Sequence, residues 1–146
     1  MKKIISKKIK NSINTVPDFP KKGIMFRDIT SLIKNTKVFK IVIDEIIQIA
    51  KEKRVNKIVG IDSRGFIFAA PIAYKMKIPL ILVRKKGKLP SSSYKVRYAL
   101  EYGFDVLEIN KNSINKNDRV MVIDDLIYQH LLQLVFEYHH HIQSYL

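Results

Sequence analysis

Two adjacent carboxylates, Asp124 and Asp125, stand at the end of an apolar run, Val-Met-Val-Ile at 120–123. A short apolar run of this kind forms a buried strand, commonly a parallel one. Open α/β sheets bind ligands beyond the carboxyl ends of their strands, so the two acids are placed at a ligand site. A turn of small residues opening a helix would cradle a phosphate at this point. Tyr-Gln-His-Leu-Leu at 128–132 follows instead and contains no glycine. Two other stretches can do chemistry. Asp-Ser-Arg-Gly at 62–65 lies between a predicted strand at 57–61 and a predicted helix at 67–74. Such a turn offers backbone N–H groups and the Arg64 guanidinium to an anion; equally, Asp62 or Ser63 caps the helix. Arg84, Lys85, Lys86 and Lys88 put four cations in five residues around Gly87, directly after a second apolar strand at 79–83. A charge run is usually a solvated face. At the end of a buried strand, in a sheet whose ends already gather Asp62, Arg64, Asp124 and Asp125, a polyphosphate-facing loop is an equally good reading.

The elements that must hold these groups alternate along the chain. Ile4, Ile5, Ile9 and Ile13 recur at helical spacing among lysines over 2–13, a short amphipathic helix. Residues 16–33 begin as a loop broken by prolines and a glycine, and Phe-Arg-Asp-Ile at 26–29 suits a half-exposed edge segment. A core-packing helix is predicted over 38–53 from Val38, Phe39, Val42, Ile43, Ile46, Ile47 and Ala50. Residues 91–97 are polar and suit a mobile lid. Residues 98–103 and 104–109 read as two extended segments broken at Gly103, and 110–118 as a polar connection. Helices alternating with buried strands predict an α/β fold with a mostly parallel sheet flanked by helices.

With 146 residues there is material for one domain with a proper core. Cysteine is absent, which excludes a disulfide framework and thiolate metal sites and fits a cytoplasmic setting. The basic N-terminus lacks the apolar centre of a secretory signal, and no run is long enough to span a membrane. The net charge of +14 invites a nucleic-acid reading, but the lysines are scattered and form no basic stripe interleaved with aromatics. Specific nucleic-acid binding is not expected. One feature of the composition is abrupt. All 27 Lys and Arg residues precede residue 128 and all four histidines follow it; about four basic residues would be expected in such a tail. His139, His140 and His141 are a poor metal site, since adjacent residues do not share one face of a helix or strand. The tail is either a divergent amphipathic helix or the product of a changed reading frame or gene model near codon 128, and the second is favoured. The chain is therefore divided into 1–127 and a divergent tail, 128–146.

Five stretches in order resemble one family: Pro-Asp-Phe-Pro-Lys-Lys-Gly-Ile-Met-Phe-Arg-Asp-Ile at 17–29, Gly-Ile-Asp-Ser-Arg-Gly-Phe at 60–66, Val-Arg-Lys-Lys-Gly-Lys-Leu-Pro at 83–90, Leu-Glu-Tyr-Gly at 100–103 and Val-Ile-Asp-Asp-Leu at 122–126. Together they resemble adenine phosphoribosyltransferase, a purine-salvage enzyme with the type I phosphoribosyltransferase fold. The resemblance implies conversion of adenine and 5-phosphoribosyl 1-diphosphate to AMP and diphosphate, with Mg²⁺ bound mainly through the substrate and no dedicated metal site. It implies a cytoplasmic homodimer with small-molecule substrates and no membrane partner. By this resemblance Phe26 and Arg27 line the adenine pocket. Arg64, Arg84, Lys85, Lys88 and Tyr102 meet the diphosphate, Glu101 handles the proton at the base, and Asp124 and Asp125 hold the ribose hydroxyls. The family continues from these acids into Ala-Thr-Gly-Gly-Thr, which grips the 5′-phosphate. Positions 128–132 depart from that pattern, so the C-terminal part of the fold is expected to be missing or altered and the chain inactive or nearly so. The alternative to an enzyme is an inactive remnant or a nucleotide- or diphosphate-binding protein of the same fold.

Overall fold

The computed structural model describes residues 2–100 and 103–124. Two compact units divide at residues 48 and 49.

The first unit opens with helix α1 (Lys2–Asn11) and a two-stranded antiparallel sheet of β1 (Asn14–Pro17) and β2 (Met25–Asp28). The expected edge segment is thus β2, and its partner β1 was not foreseen. The loop between them turns on Asp18 and Gly23, both at positive φ, and the Gly23 N–H donates to Asp18 Oδ1 at 2.6 Å. Asp28 Oδ1 accepts the Thr30 N–H at 2.8 Å, satisfying a free donor at the start of the short helix α2 (Thr30–Lys34). Asn35 ends α2, and its Oδ1 accepts the Val38 N–H at 3.2 Å in the first turn of α3 (Thr36–Glu52). On α3, Val38, Val42, Ile43, Ile47 and Ala50 are buried, the spacing that predicts the helix.

The second unit is built on a five-stranded sheet in the order β5-β6-β4-β3-β7. Its centre is β3 (Lys57–Ile61), paired in parallel with β4 (Leu80–Lys85) on one side and β7 (Val120–Ile123) on the other. Helix α4 (Gly65–Met76) crosses from β3 to β4 and packs on β3, β4 and β7. Gly60 permits that packing, because a Cβ there would meet the Phe66 ring at 2.9 Å and Ala69 Cβ at 3.0 Å. Ile58, Val59, Phe68, Ala69, Ile72, Ala73, Ile81, Met121 and Ile123 form the core. The two extended segments form a hairpin of β5 (Ser93–Leu100) and β6 (Gly103–Asn110), joined antiparallel to β4. The sheet is therefore parallel around β3 and antiparallel at the ribbon.

Two local expectations are corrected. Strand β4 runs on through Arg84 and Lys85, which pair with Glu108 and Leu107 of β6. Residues 93–97, expected as part of a mobile lid, are ladder-paired with residues 106–110. Their polar side chains have cross-strand partners: Lys95 Nζ lies 3.3 Å from Glu108 Oε1, and the Arg97 guanidinium lies 4.1 Å from the Phe104 ring centre.

At the amino ends of β3 and β7, Lys57 Nζ pairs with Asp118 at 2.7 Å and donates to the Ser113 carbonyl at 2.9 Å. The Lys57 hydrogen bond, with the Asn115 N–H second, holds the Asp118 carboxyl below its ordinary range. No helix among the described residues is long and apolar enough to cross a membrane.

Candidate functional site

Strands β3, β4 and β7 are parallel, so their carboxyl ends share one edge of the sheet. At that edge β3 delivers Asp62, whose N–H donates to the Val83 carbonyl of β4 at 2.9 Å. The peptide bond from Asp62 to Ser63 is cis. Arg64 follows as the N-cap residue of α4, with no side chain bonded to the cap. The N-cap position thus falls on Arg64 and not on the expected Asp62 or Ser63. Asp62 instead reaches across to β4: its Oδ2 accepts from Arg84 Nε at 3.0 Å and, more loosely, from the Lys85 N–H at 3.4 Å. The hydrogen bond from Arg84 is the main reason the Asp62 carboxyl lies below its ordinary range. Burial opposes it, and the Lys85 N–H and the charges of Arg84 and Lys88 add to the lowering. The Arg84 guanidinium also stands 5.8 Å from the Phe66 ring centre.

The cations continue as a turn after β4. Gly87 has φ +76°, a conformation that favours glycine. The turn is tied to β6: the Lys86 N–H donates to the Val106 carbonyl at 3.0 Å and the Gly87 N–H to Glu108 Oε2 at 3.1 Å. Lys85 and Lys88 are exposed.

Strand β7 ends at Ile123, and Asp124, which follows it, is half-buried. Gly65 brings the start of α4 against it. A Cβ on Gly65 would run into the Ile123 carbonyl oxygen and come 3.3 Å from the Asp124 Cα. The ribbon approaches the same acid. The Tyr98 hydroxyl donates to Asp105 Oδ2 at 3.2 Å, and its pKa is raised by burial first, then by Asp105, then by the charge of Asp124.

The carboxyl edge thus brings together Arg64, Arg84, Lys85, Lys88 and Asp124 of the sequence-derived set. Asp62, read from sequence as a candidate helix cap, stands with them, as do Tyr98, Asp105 and Glu108, which were given no role. Phe26 and Arg27 lie on β2 in the first unit. There the Phe26 ring meets Phe19 edge-on, centres 5.1 Å apart, and the Arg27 guanidinium donates to Thr15 Oγ1. Glu101, Tyr102 and Asp125, and the whole of 128–146, lie outside the described residues.

A parallel sheet edge with a cationic turn on one side and an acid-ended strand on the other suits a ligand that carries phosphates. Residues 29–129 match the family model of the phosphoribosyl transferase domain, which defines the class. Adenine phosphoribosyltransferase of Nitrosomonas eutropha is 50% identical over 119 residues, covering 82% of this chain and 68% of that protein. The enzyme of that name from Treponema denticola is 52% identical over 116 residues, covering 80% of this chain and 61% of it. The crystal structure of the Saccharomyces cerevisiae enzyme, complexed with an imino-altritol bisphosphate and adenine, superposes with a TM-score of 0.78 at 34% identity, covering 84% of this chain and 72% of that one. The chain belongs to the adenine phosphoribosyltransferase family, whose fold is that of type I phosphoribosyltransferases. It spans 61–68% of the length of these curated relatives.

Proposed function

We propose that this chain carries the adenine and 5-phosphoribosyl 1-diphosphate site of its family, and that its own turnover to AMP is abolished or nearly so at the 5′-phosphate grip. The observation that carries the first half is the gathering of Arg84, Lys85 and Lys88 with Asp62 and Asp124 at one sheet edge. In the transfer, N9 of adenine forms a bond to C1 of the ribose as the C1–diphosphate bond breaks. Positive charge develops on the ribose and negative charge on the leaving group. Carboxylates beside the one and cations beside the other lower the barrier.

The roles follow. Arg64, Lys85, Lys88 and the terminal nitrogens of Arg84 would meet the diphosphate, with Tyr102 in support. Asp124 and Asp125 would hold the ribose hydroxyls. Phe26 and Arg27 would line the adenine pocket, and Glu101 would take the N9 proton. Among the described residues no three carboxylates or histidines cluster as a metal cage. The hard oxygens of the diphosphate, with Asp124 nearby, suit Mg²⁺ carried in by the substrate, where it neutralises leaving-group charge. A cytoplasmic homodimer is the assembly the family resemblance carries.

The second half rests on Tyr-Gln-His-Leu-Leu at 128–132, just past the acids, and on the loss of every Lys and Arg beyond Arg119. Bulky side chains without glycine do not let backbone N–H groups close on a phosphate. Residues 1–127 are accordingly read as the phosphoribosyltransferase-like part and 128–146 as a divergent tail. That favours a protein that binds adenine and diphosphate with little transfer. The test is purified protein with adenine, phosphoribosyl diphosphate and Mg²⁺. No burst and no steady formation of AMP is expected, whereas diphosphate binding by calorimetry is retained. Robust turnover refutes the second half, and absence of diphosphate binding refutes the first. Coding DNA that restores Ala-Thr-Gly-Gly-Thr by a one-base shift near codon 128 would identify the origin of the tail.

A further inference from the structure

Glu108 has no part in the transfer chemistry above, yet among the described residues it is the charged side chain that lies in the core, 3% exposed. A carboxylate is costly to bury unless it is paired and hydrogen-bonded. Strand register explains its partners. Glu108 on β6 is opposite Arg84 of β4 on one side and opposite Lys95 of β5 on the other. Its Oε1 lies 3.3 Å from Lys95 Nζ, and its Oε2 accepts the Gly87 N–H at 3.1 Å. One oxygen is thus committed to the ribbon and the other to the middle of the cationic turn.

That turn needs holding. Arg84, Lys85, Lys86 and Lys88 are four like charges in five residues, and they repel one another. Gly87, at φ +76° with open space where a Cβ would be, has no side chain to fix it. The flanking backbone bonds, Lys86 N–H to the Val106 carbonyl and Lys88 N–H to the Lys85 carbonyl, leave its own N–H to Glu108. Asp62 takes the Arg84 end of the turn at 3.0 Å, and Glu108 takes its centre.

We propose that Glu108 is a positioning residue for diphosphate: by accepting the Gly87 N–H it keeps the 85–88 turn folded against β6, with its lysines gathered beside Asp62 before the anion arrives. Cations already gathered need not be ordered when the ligand binds, so affinity rises without a new contact. This rests on the diphosphate reading of the turn. It goes beyond it in assigning the turn's shape to a buried acid that touches no substrate.

The test is calorimetric titration of the full chain with magnesium diphosphate and, separately, with adenine. Glu108→Ala is expected to weaken diphosphate about tenfold and to leave adenine within about twofold. Glu108→Gln, whose amide oxygen still accepts a hydrogen bond, is expected to recover most of the loss. Glu108→Ala binding diphosphate as tightly as wild type overturns the proposal, as does equal loss of both ligands or a Gln variant no better than Ala. Hydrogen exchange on the wild type keeps the proposal testable should the Ala variant fail to fold. The Gly87 amide is expected to be protected, and exchange at the free-peptide rate overturns the assignment. A wild-type chain that binds no diphosphate overturns the underlying reading and the proposal with it. Binding by wild type with no change on Glu108→Ala removes the proposal alone.

Discussion

Asp62 joins the ends of two strands through one carboxyl oxygen, taking Arg84 Nε at 3.0 Å and the Lys85 N–H at 3.4 Å. Its folded pKa is below the ordinary value of 3.8, first because of the Arg84 hydrogen bond and against the effect of burial. A carboxyl with a depressed folded pKa stabilises the fold in full above its unfolded pKa, and that contribution is lost as pH falls through the folded value. Asp62→Asn keeps an acceptor oxygen and removes the charge, so it should cost about 1–2 kcal/mol at pH 7. Urea unfolding from pH 7 down to pH 2 checks both parts. The gap between wild type and variant should be constant at neutral pH and narrow only below about pH 3.8, the unfolded reference. Asp118 is also depressed and titrates in the same acid range. It is common to both proteins, so their difference isolates Asp62. A gap that persists undiminished at pH 2 would count against the ion pair as its source.

At the scale of elements, the site depends on how closely α4 enters the strand edge. Gly65 allows the approach, because a Cβ there would collide with the Ile123 carbonyl oxygen at the end of β7. Backbone cannot yield as a flexible side chain can. Gly65→Ala should therefore push the 62–65 turn away from Asp124, destabilising the protein by about 1–3 kcal/mol and weakening diphosphate binding. Thermal unfolding together with calorimetry tests this, and a variant matching wild type in both would contradict it. The elements also separate what was legible in the sequence from what was not. The apolar runs at 57–61, 79–83 and 120–123 and the spacing of Val38, Val42 and Ile43 mark β3, β4, β7 and α3, because local hydrophobic period reports burial. The strand over 93–97 was hidden. Its alternation carries Lys95 and Arg97, whose partners Glu108 and Phe104 are remote in sequence, so the segment looked solvated. Glu108 was missed for a related reason. An acid between Leu107 and Ile109 in an extended segment is the one local hint, and only the register with Arg84 and Lys95 shows that it is buried for a purpose.

For the whole molecule the decisive question is what the change of composition at residue 128 means for the proposed site. On the proposed reading, residues 62–64, 84–88 and 124 would offer acids and cations to the diphosphate and ribose, and all of them precede residue 128. On the same reading the 5′-phosphate would fall to 128–132, where small residues would open a helix and point backbone N–H groups at the anion. Replacing Tyr-Gln-His-Leu-Leu at 128–132 by Ala-Thr-Gly-Gly-Thr therefore separates the two ends of the substrate. Ribose 5-phosphate affinity should rise by about tenfold or more, since several N–H groups acting together with a helix N-terminus are worth more than one hydrogen bond. Diphosphate affinity should stay unchanged, because its proposed cations lie at the start of α4, on β4 and in the turn after it. Calorimetry with the two ligands, on wild type and graft, reads both. A graft that leaves ribose 5-phosphate binding where it was would mean that the missing grip is not local to 128–132 but needs further structure. A graft that also restores AMP formation would mean that those five positions alone stand between this chain and the activity of its family.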